Sequence, residues 1–346
     1  EFEMSAVIWA SQRISAAIAE GVISLDLPLD HDQVQPASLD LRLGDRAYRL
    51  PASFLPGPGN TVAERVARLA THEVDLMKPT VLERNCVHII PLMERLTLPK
   101  GVSARANPKS SSGRLDIFVR IITDNGETFD DVPDGYCGPL YAEVVPRSFA
   151  VLAQAGARLA QIRFREAGGS PFAPVRIVPV TIDLDPAGKA GGVIGYRARR
   201  HAGLVDLGKI GGHPIPEFWE PITAIAGRRE LVLDPDEFYI LMSAEAVVVG
   251  ADEAAEMVAY DPAVGELRSH YAGYLDCGFG LAEAGGVGSR VVLEVRSHDV
   301  PFLVEHGQRV ATLVYEPMAQ RPDRLYGQDL GSNYQGQGLK LSKHFA

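Results

Sequence analysis

Apolar and polar residues alternate with a period of two over many short stretches of this chain. LDLRL, CVHIIPLMERLTLP, LDIFVRIIT, PLYAEVV and ARLAQIRF are short and either alternate in this way or are rich in β-branched residues, and Gly, Pro, Asn or Asp separates them. The pattern predicts strands. A helical period occurs near the N-terminus, where Ile8, Ile14, Ala17 and Ile18 share one face before Gly21 stops the helix. The strand pattern then recurs. The segment that starts at Cys86 lies over the one that starts at Phe238, 152 positions later and without a gap, and GARLAQIRF from Gly156 lies over GQRVATLVY from Gly307, 151 positions later. An all-β chain of two similar barrels follows from that spacing, rather than one large barrel. The predicted organisation is a first repeat over 4–168, a linker over 169–192, a second repeat over 193–330 and a polar arm over 331–346. The linker is bounded by the loop-forming stretches GGSPFAP and DPAGKAGG, and VRIVPVTIDL gives it partial strand character.

Composition narrows the setting. The chain has 346 residues, 46% of them hydrophobic, and a mean hydropathy of +0.00, as in a water-soluble globular protein. No apolar run approaches the ~18 residues of a membrane span. The first residues are acidic where a signal peptide would be basic, so a cytoplasmic location is expected. Cys86, Cys137 and Cys277 are odd in number and far apart, which fits reduced thiols better than disulfides or a CxxC metal site. A formal charge of −10 repels nucleic acid and anionic membrane, so a phosphate-bearing ligand must be caught by a local group of cations.

Four stretches can carry chemistry. NPKSSSGRLD sets Lys109 and Arg114 around Ser110, Ser111 and Ser112, which suits phosphate oxygens; a plain serine-rich turn is the alternative. Its copy in the second repeat, YDPAVGELR, has Pro262, Ala263 and Glu266 in those places, so the repeats are specialised. HYAGYLDCGFG, 270 to 280, reads as a hairpin whose small Ala272 and Gly273 let a flat ring approach the backbone. Glu294 sits in the apolar strand VVLEV, where a carboxylate is either paired or raised in pKa for proton transfer. The first repeat has a matching Glu143, so an ion pair is the alternative for each. The arm, GSNYQGQGLKLSKHFA, is too polar and glycine-rich to order itself, and is expected to be mobile until it closes over a ligand.

QPASLDLRLG, PKSSSGR, HYAGYLDCGFG, VVLEV and YQGQGLKLS, in that order, resemble the dCTP deaminase branch of the dUTPase superfamily. The resemblance implies distorted jelly-roll β-barrels, here two in tandem, and a substrate, dCTP, that is hydrolysed to dUTP and ammonia. It implies Glu294 and Ser110 as catalytic residues, and Lys109, Ser111, Arg114, Ala272, Asp276, Tyr334 and Gln337 as substrate-binding ones. Lysine at 109 departs from the family's arginine and replaces a bidentate grip with a point charge. The hairpin of the first repeat, with Phe129 and Pro133 at the matching places, looks degenerate. A single composite site between the repeats is therefore expected, with a site between chains as the competing arrangement. The HxE and PCxxC signature of zinc deaminases is missing, which leaves a carboxylate to activate water and Mg2+ to accompany the triphosphate. Relatives usually assemble as trimers, so a homo-oligomer is a further expectation. The rivals are a dUTP pyrophosphatase, alone or combined with deamination, and a nucleotide sensor without catalysis.

Overall fold

The computed structural model describes residues 6–167, 176–225, 227–259, 267–269, 273–297, 299–327, 330 and 332–346. The alternating stretches become strands. In the first repeat, Val87–Thr97 pairs antiparallel with Cys137–Pro146, which in turn pairs with Ile117–Thr123. A second sheet sets Val102–Pro108 against Arg158–Glu166, with Leu39–Arg42 on the far edge of the latter. Apolar side chains from both sheets, among them Leu41, Ile90, Val119, Ala142 and Ile162, fill the space between.

The second repeat follows the same plan about 151 positions later. Phe238–Val247 pairs with Ser289–Ser297, and Arg309–Pro317 with Glu253–Ala259. Register is kept as well. Glu143 lies opposite Ile89, and Glu294 opposite Ile240. The core of this repeat gathers Leu241, Leu293, Val310 and Leu313. Among the described residues no helix is long and apolar enough to cross a membrane, and Cys86, Cys137 and Cys277 carry free thiols.

Three expectations need correction. The N-terminal helix spans Ser11–Ala19, whereas Ile8 belongs to a short strand, Val7–Ile8, paired with Arg158–Glu166. Part of the expected linker is a strand of the second repeat: Arg176–Thr181 pairs with Arg309–Pro317, and Val178 and Val180, two positions apart, face the core. The C-terminal arm is not a loose tail. Leu341 and Phe345 are buried, and the Phe345 ring packs 5.3 Å from Phe218 and 5.7 Å from Trp219, centre to centre. Phe149 of the first repeat closes the same cluster, 5.4 Å from Trp219.

That cluster reflects a docking that the periodicity does not contain. Val205–Asp206 of the second repeat adds a parallel strand to Val151–Ala153 of the first. The segment around it brings Phe218 and Trp219 onto the first repeat, and Arg84 donates to the carbonyl of Arg200 at 2.8 Å. The repeats therefore share apolar core as well as polar contacts.

Candidate active site

The serine loop follows the end of Val102–Pro108 as a single helical turn, Ser110–Gly113. Directly after it, Asp116 adopts the left-handed conformation, φ 55°, and aims its carboxylate at the second repeat. There it accepts Arg296 Nε at 3.1 Å and also pairs with the second guanidinium nitrogen, while the Ser148 hydroxyl donates to it at 2.6 Å. Arg296 and Glu294 are two residues apart in Ser289–Ser297, so the pleat turns both to the same face. Arg296 thus fixes the register in which Glu294 meets the serine loop. Contact is close. A β-carbon at Gly113 would stand 2.7 Å from Glu294 Cδ, so only glycine at 113 leaves room for the carboxylate where it lies.

Other bonds across the repeats hold the hairpin. The Gly273 amide donates to Asn107 Oδ1 at 2.7 Å, and the Tyr274 hydroxyl to the carbonyl of Arg105 at 2.9 Å. Arg163, fully buried, donates to Asp276 Oδ1 at 2.9 Å and to the carbonyls of Ala255 and Leu275. Gly278, at φ 98°, lets the hairpin pass the backbone of Tyr326, whose carbonyl oxygen would lie 2.9 Å from any β-carbon there.

Between these elements lies a cavity of ≈ 360 Å³, within the usual range for small-molecule sites. It brings together Lys109, Ser110, Ser111 and Arg114 of the first repeat with Asp276, Glu294, Tyr334 and Gln337 of the second repeat and arm, all within one chain. Ala272 and the copied loop YDPAVGELR up to Glu266 lie outside the described residues.

The arm closes one wall. Arg114 donates to Gln337 Oε1 and to the carbonyl of Lys340, both at 2.9 Å, and its guanidinium carbon stands 3.9 Å over the Tyr334 ring. Gln337 is fixed from behind by Arg290, whose amide donates to the Gln337 carbonyl at 3.0 Å and whose carbonyl accepts Gln337 Nε2 at 2.9 Å. Ser342 donates to the carbonyl of Ser111 at 2.8 Å. Arg114 is therefore engaged with the arm, and its buried Nε is the atom left without a partner.

The matching place in the first repeat is filled. Glu143 accepts Arg120 Nε at 3.1 Å and NH2 at 2.6 Å, and the Arg120 guanidinium carbon lies 3.4 Å over the Phe129 ring. Glu143 is thus the partner in an ion pair, and Phe129 occupies the flank where a ring would enter. Next to it, Asp130 accepts the Ile121 amide at 2.8 Å, and burial pushes its carboxyl up to about 7. The unfolded chain releases this proton near pH 4 while the folded protein keeps it to about pH 7, so stability falls as pH rises through that window. Asp130→Asn keeps the acceptor and removes the titration. The variant's melting temperature, relative to the native protein's, should therefore be higher at pH 8 than at pH 5; a pH-independent difference would contradict the assignment.

Several lining residues had no signal strong enough to single them out in the sequence. Tyr326, whose ring is 5.8 Å from Phe279, lies just before the arm in an unremarked DRLYGQ. Asp40 and Arg158 also line the cavity, and only folding brings them there.

Comparison with known proteins bears on this arrangement. Residues 5–168 match the N-terminal domain and residues 171–345 the C-terminal domain of the 2'-deoxycytidine 5'-triphosphate deaminase family. A crystal structure of 2'-deoxycytidine 5'-triphosphate deaminase from Agrobacterium tumefaciens is 52% identical, with a TM-score of 0.85 over 92% of this chain and 100% of that one. A dCTP deaminase from Halorubrum lacusprofundi is 31% identical over 43% of this chain and 72% of its own length. A dUMP-forming dCTP deaminase from Beutenbergia cavernae is 32% identical over 33% of this chain, a match spanning 58% of that relative.

Proposed function

This chain belongs to the 2'-deoxycytidine 5'-triphosphate deaminase family, and we propose on that premise that it hydrolyses dCTP to dUTP and ammonia. The observation that carries the proposal is the meeting of the serine loop of one repeat with the buried glutamate of the other around one cavity. Each repeat alone has half of the machinery. Lys109, Ser111 and the backbone of the loop hold phosphate oxygens, and Mg2+ enters with the triphosphate as part of the substrate. The hairpin from Ala272 to Asp276 receives the base and deoxyribose, and Asp276, oriented by Arg163, accepts a hydrogen bond from the 3′-hydroxyl.

Glu294 is the general base. It takes a proton from water as the oxygen attacks C4 of cytosine, passes it to N3, and the amino group leaves as ammonia once it is protonated in turn. Atoms balance as dCTP plus water giving dUTP plus ammonia. Ser110 holds the attacking water and the tetrahedral centre that forms. Arg114, Tyr334 and Gln337 keep the arm against the nucleotide and exclude bulk water. The pathway that this serves is the supply of dUTP for pyrimidine deoxynucleotide synthesis.

The experiment is incubation with dCTP and magnesium, reading ammonia, dUTP and pyrophosphate together. Ammonia equal to dUTP is the expected result. Pyrophosphate with dUMP would make the enzyme dUMP-forming, and binding with no product would make it a sensor.

A further inference from the structure

The second repeat has a longer turn after its hairpin strand than the first. Asp131–Val132 is joined to Cys137–Pro146 by 133–136, whereas the matching Tyr274–Leu275 is joined to Ser289–Ser297 by 276–288. The added residues fold back on the turn. The Gly286 amide donates to the carbonyl of Leu281, and the Gly288 amide to that of Gly280, both at 2.8 Å. Residues 281–288 lie outside the cavity wall, but one side chain of the arm is seated on them.

That side chain is Gln335. Its Oε1 accepts the Gly280 amide at 2.9 Å, and its Nε2 donates to the carbonyls of Gly278 at 2.9 Å and Ala284 at 3.2 Å, with the carbonyl of Tyr326 at 3.4 Å. The next amide, of Gly336, donates to Ser289 Oγ at 2.8 Å. The turn presents one N–H and several carbonyls to a single planar group, which suits a carboxamide; a carboxylate lacks the donor and an ammonium lacks the acceptor. Gln335 is not in the cavity wall, yet its neighbour Tyr334 is, with the Arg114 guanidinium over its ring. At the other end, the turn starts at Asp276, whose carbonyl accepts the Phe279 amide at 3.0 Å. Gln335 thus ties together two walls of the cavity, the hairpin and the stacked pair of arm and serine loop.

We propose that Gln335 is a positioning residue that makes the hairpin and the Arg114–Tyr334 pair one unit, so that the nucleoside and triphosphate halves of the substrate bind cooperatively. The proposal rests on the deaminase reading above. Whichever half binds first orders both walls through Gln335, and the second half then meets a site already formed.

The test supplies the halves as separate molecules, deoxycytidine and inorganic triphosphate, singly and together, and reads the melting temperature. Independent sites would give, with both present, the sum of the single rises. The native protein should exceed that sum by the equivalent of about tenfold tighter binding, and Gln335→Ala should give the sum alone. Gln335→Glu, which keeps the shape and the acceptor but loses the donor, should behave as the alanine variant does. With dCTP, KM should rise about tenfold in both variants while kcat changes by less than about twofold, because Gln335 stands outside the cavity wall. A plain sum in the native protein, the native excess retained in either variant, or a fall in kcat with KM unchanged overturns the proposal. Absence of ammonia from dCTP with the native protein would instead refute the deaminase reading, and the two separate molecules would still report on Gln335.

Discussion

Replacing Glu294 with glutamine is expected to lower deamination by about a hundredfold or more while dCTP still binds. Glutamine has nearly the shape of glutamate, so the contact with the loop at Gly113 and the pairing of the strand with Ile240 should survive. What disappears is the ability to take a proton. Rates from ammonia release and affinities from calorimetry separate the two effects. Glu143→Gln is the control, because its carboxylate is held by Arg120 beside Phe129 and not in the cavity. That change should cost about 2 kcal/mol of stability through the weakened buried pair and leave turnover per folded molecule nearly intact. Loss of turnover in Glu143→Gln with retention in Glu294→Gln would place the chemistry in the wrong repeat and undo the mechanism.

The contrast between these two glutamates marks how far sequence reasoning reaches. Both sit in apolar strands at the same register, and alternation alone makes both buried. The difference lies across the sheet. Arg120 is directly opposite Glu143 in the pairing of Cys137–Pro146 with Ile117–Thr123, a cross-strand relation that is readable only once the partner strand is known. The strands, the repeat and the serine loop were legible because their signals are local: period two, a fixed offset, and cations around hydroxyls within ten positions. The docking of 199–218 on the first repeat was not, since its strand has two residues and its aromatic rings have no period. Arg158 was hidden for a related reason: it is an ordinary surface cation in its own neighbourhood, and only the fold brings it to the cavity.

Removing residues 341–346 is expected to destabilise the ligand-free protein as well as inactivate it, against what the polar, glycine-rich composition of the arm implies. Composition is a poor guide here because a few residues carry the burial. Phe345 enters the cluster of Phe149, Phe218 and Trp219, and the Ala346 amide bonds to the carbonyl of His213 at 3.0 Å, closing the end of the chain onto the second repeat. Phe345→Ala alone should cost about 3 kcal/mol, the usual loss for a buried ring, and lower the melting temperature by about 4 °C for a chain of this size. Activity falls with it, since Ser342 and Lys343 are placed by the same anchor. The arm is then a strap fixed at its far end, and any opening that admits nucleotide must come from the span between Ser332 and Lys340, where Arg114 and Tyr334 form the clasp. Calorimetry of the ligand-free variants decides the matter. If the shortened protein melts at the native temperature, residues 341–346 are undocked in solution, and a freely mobile lid replaces the strap.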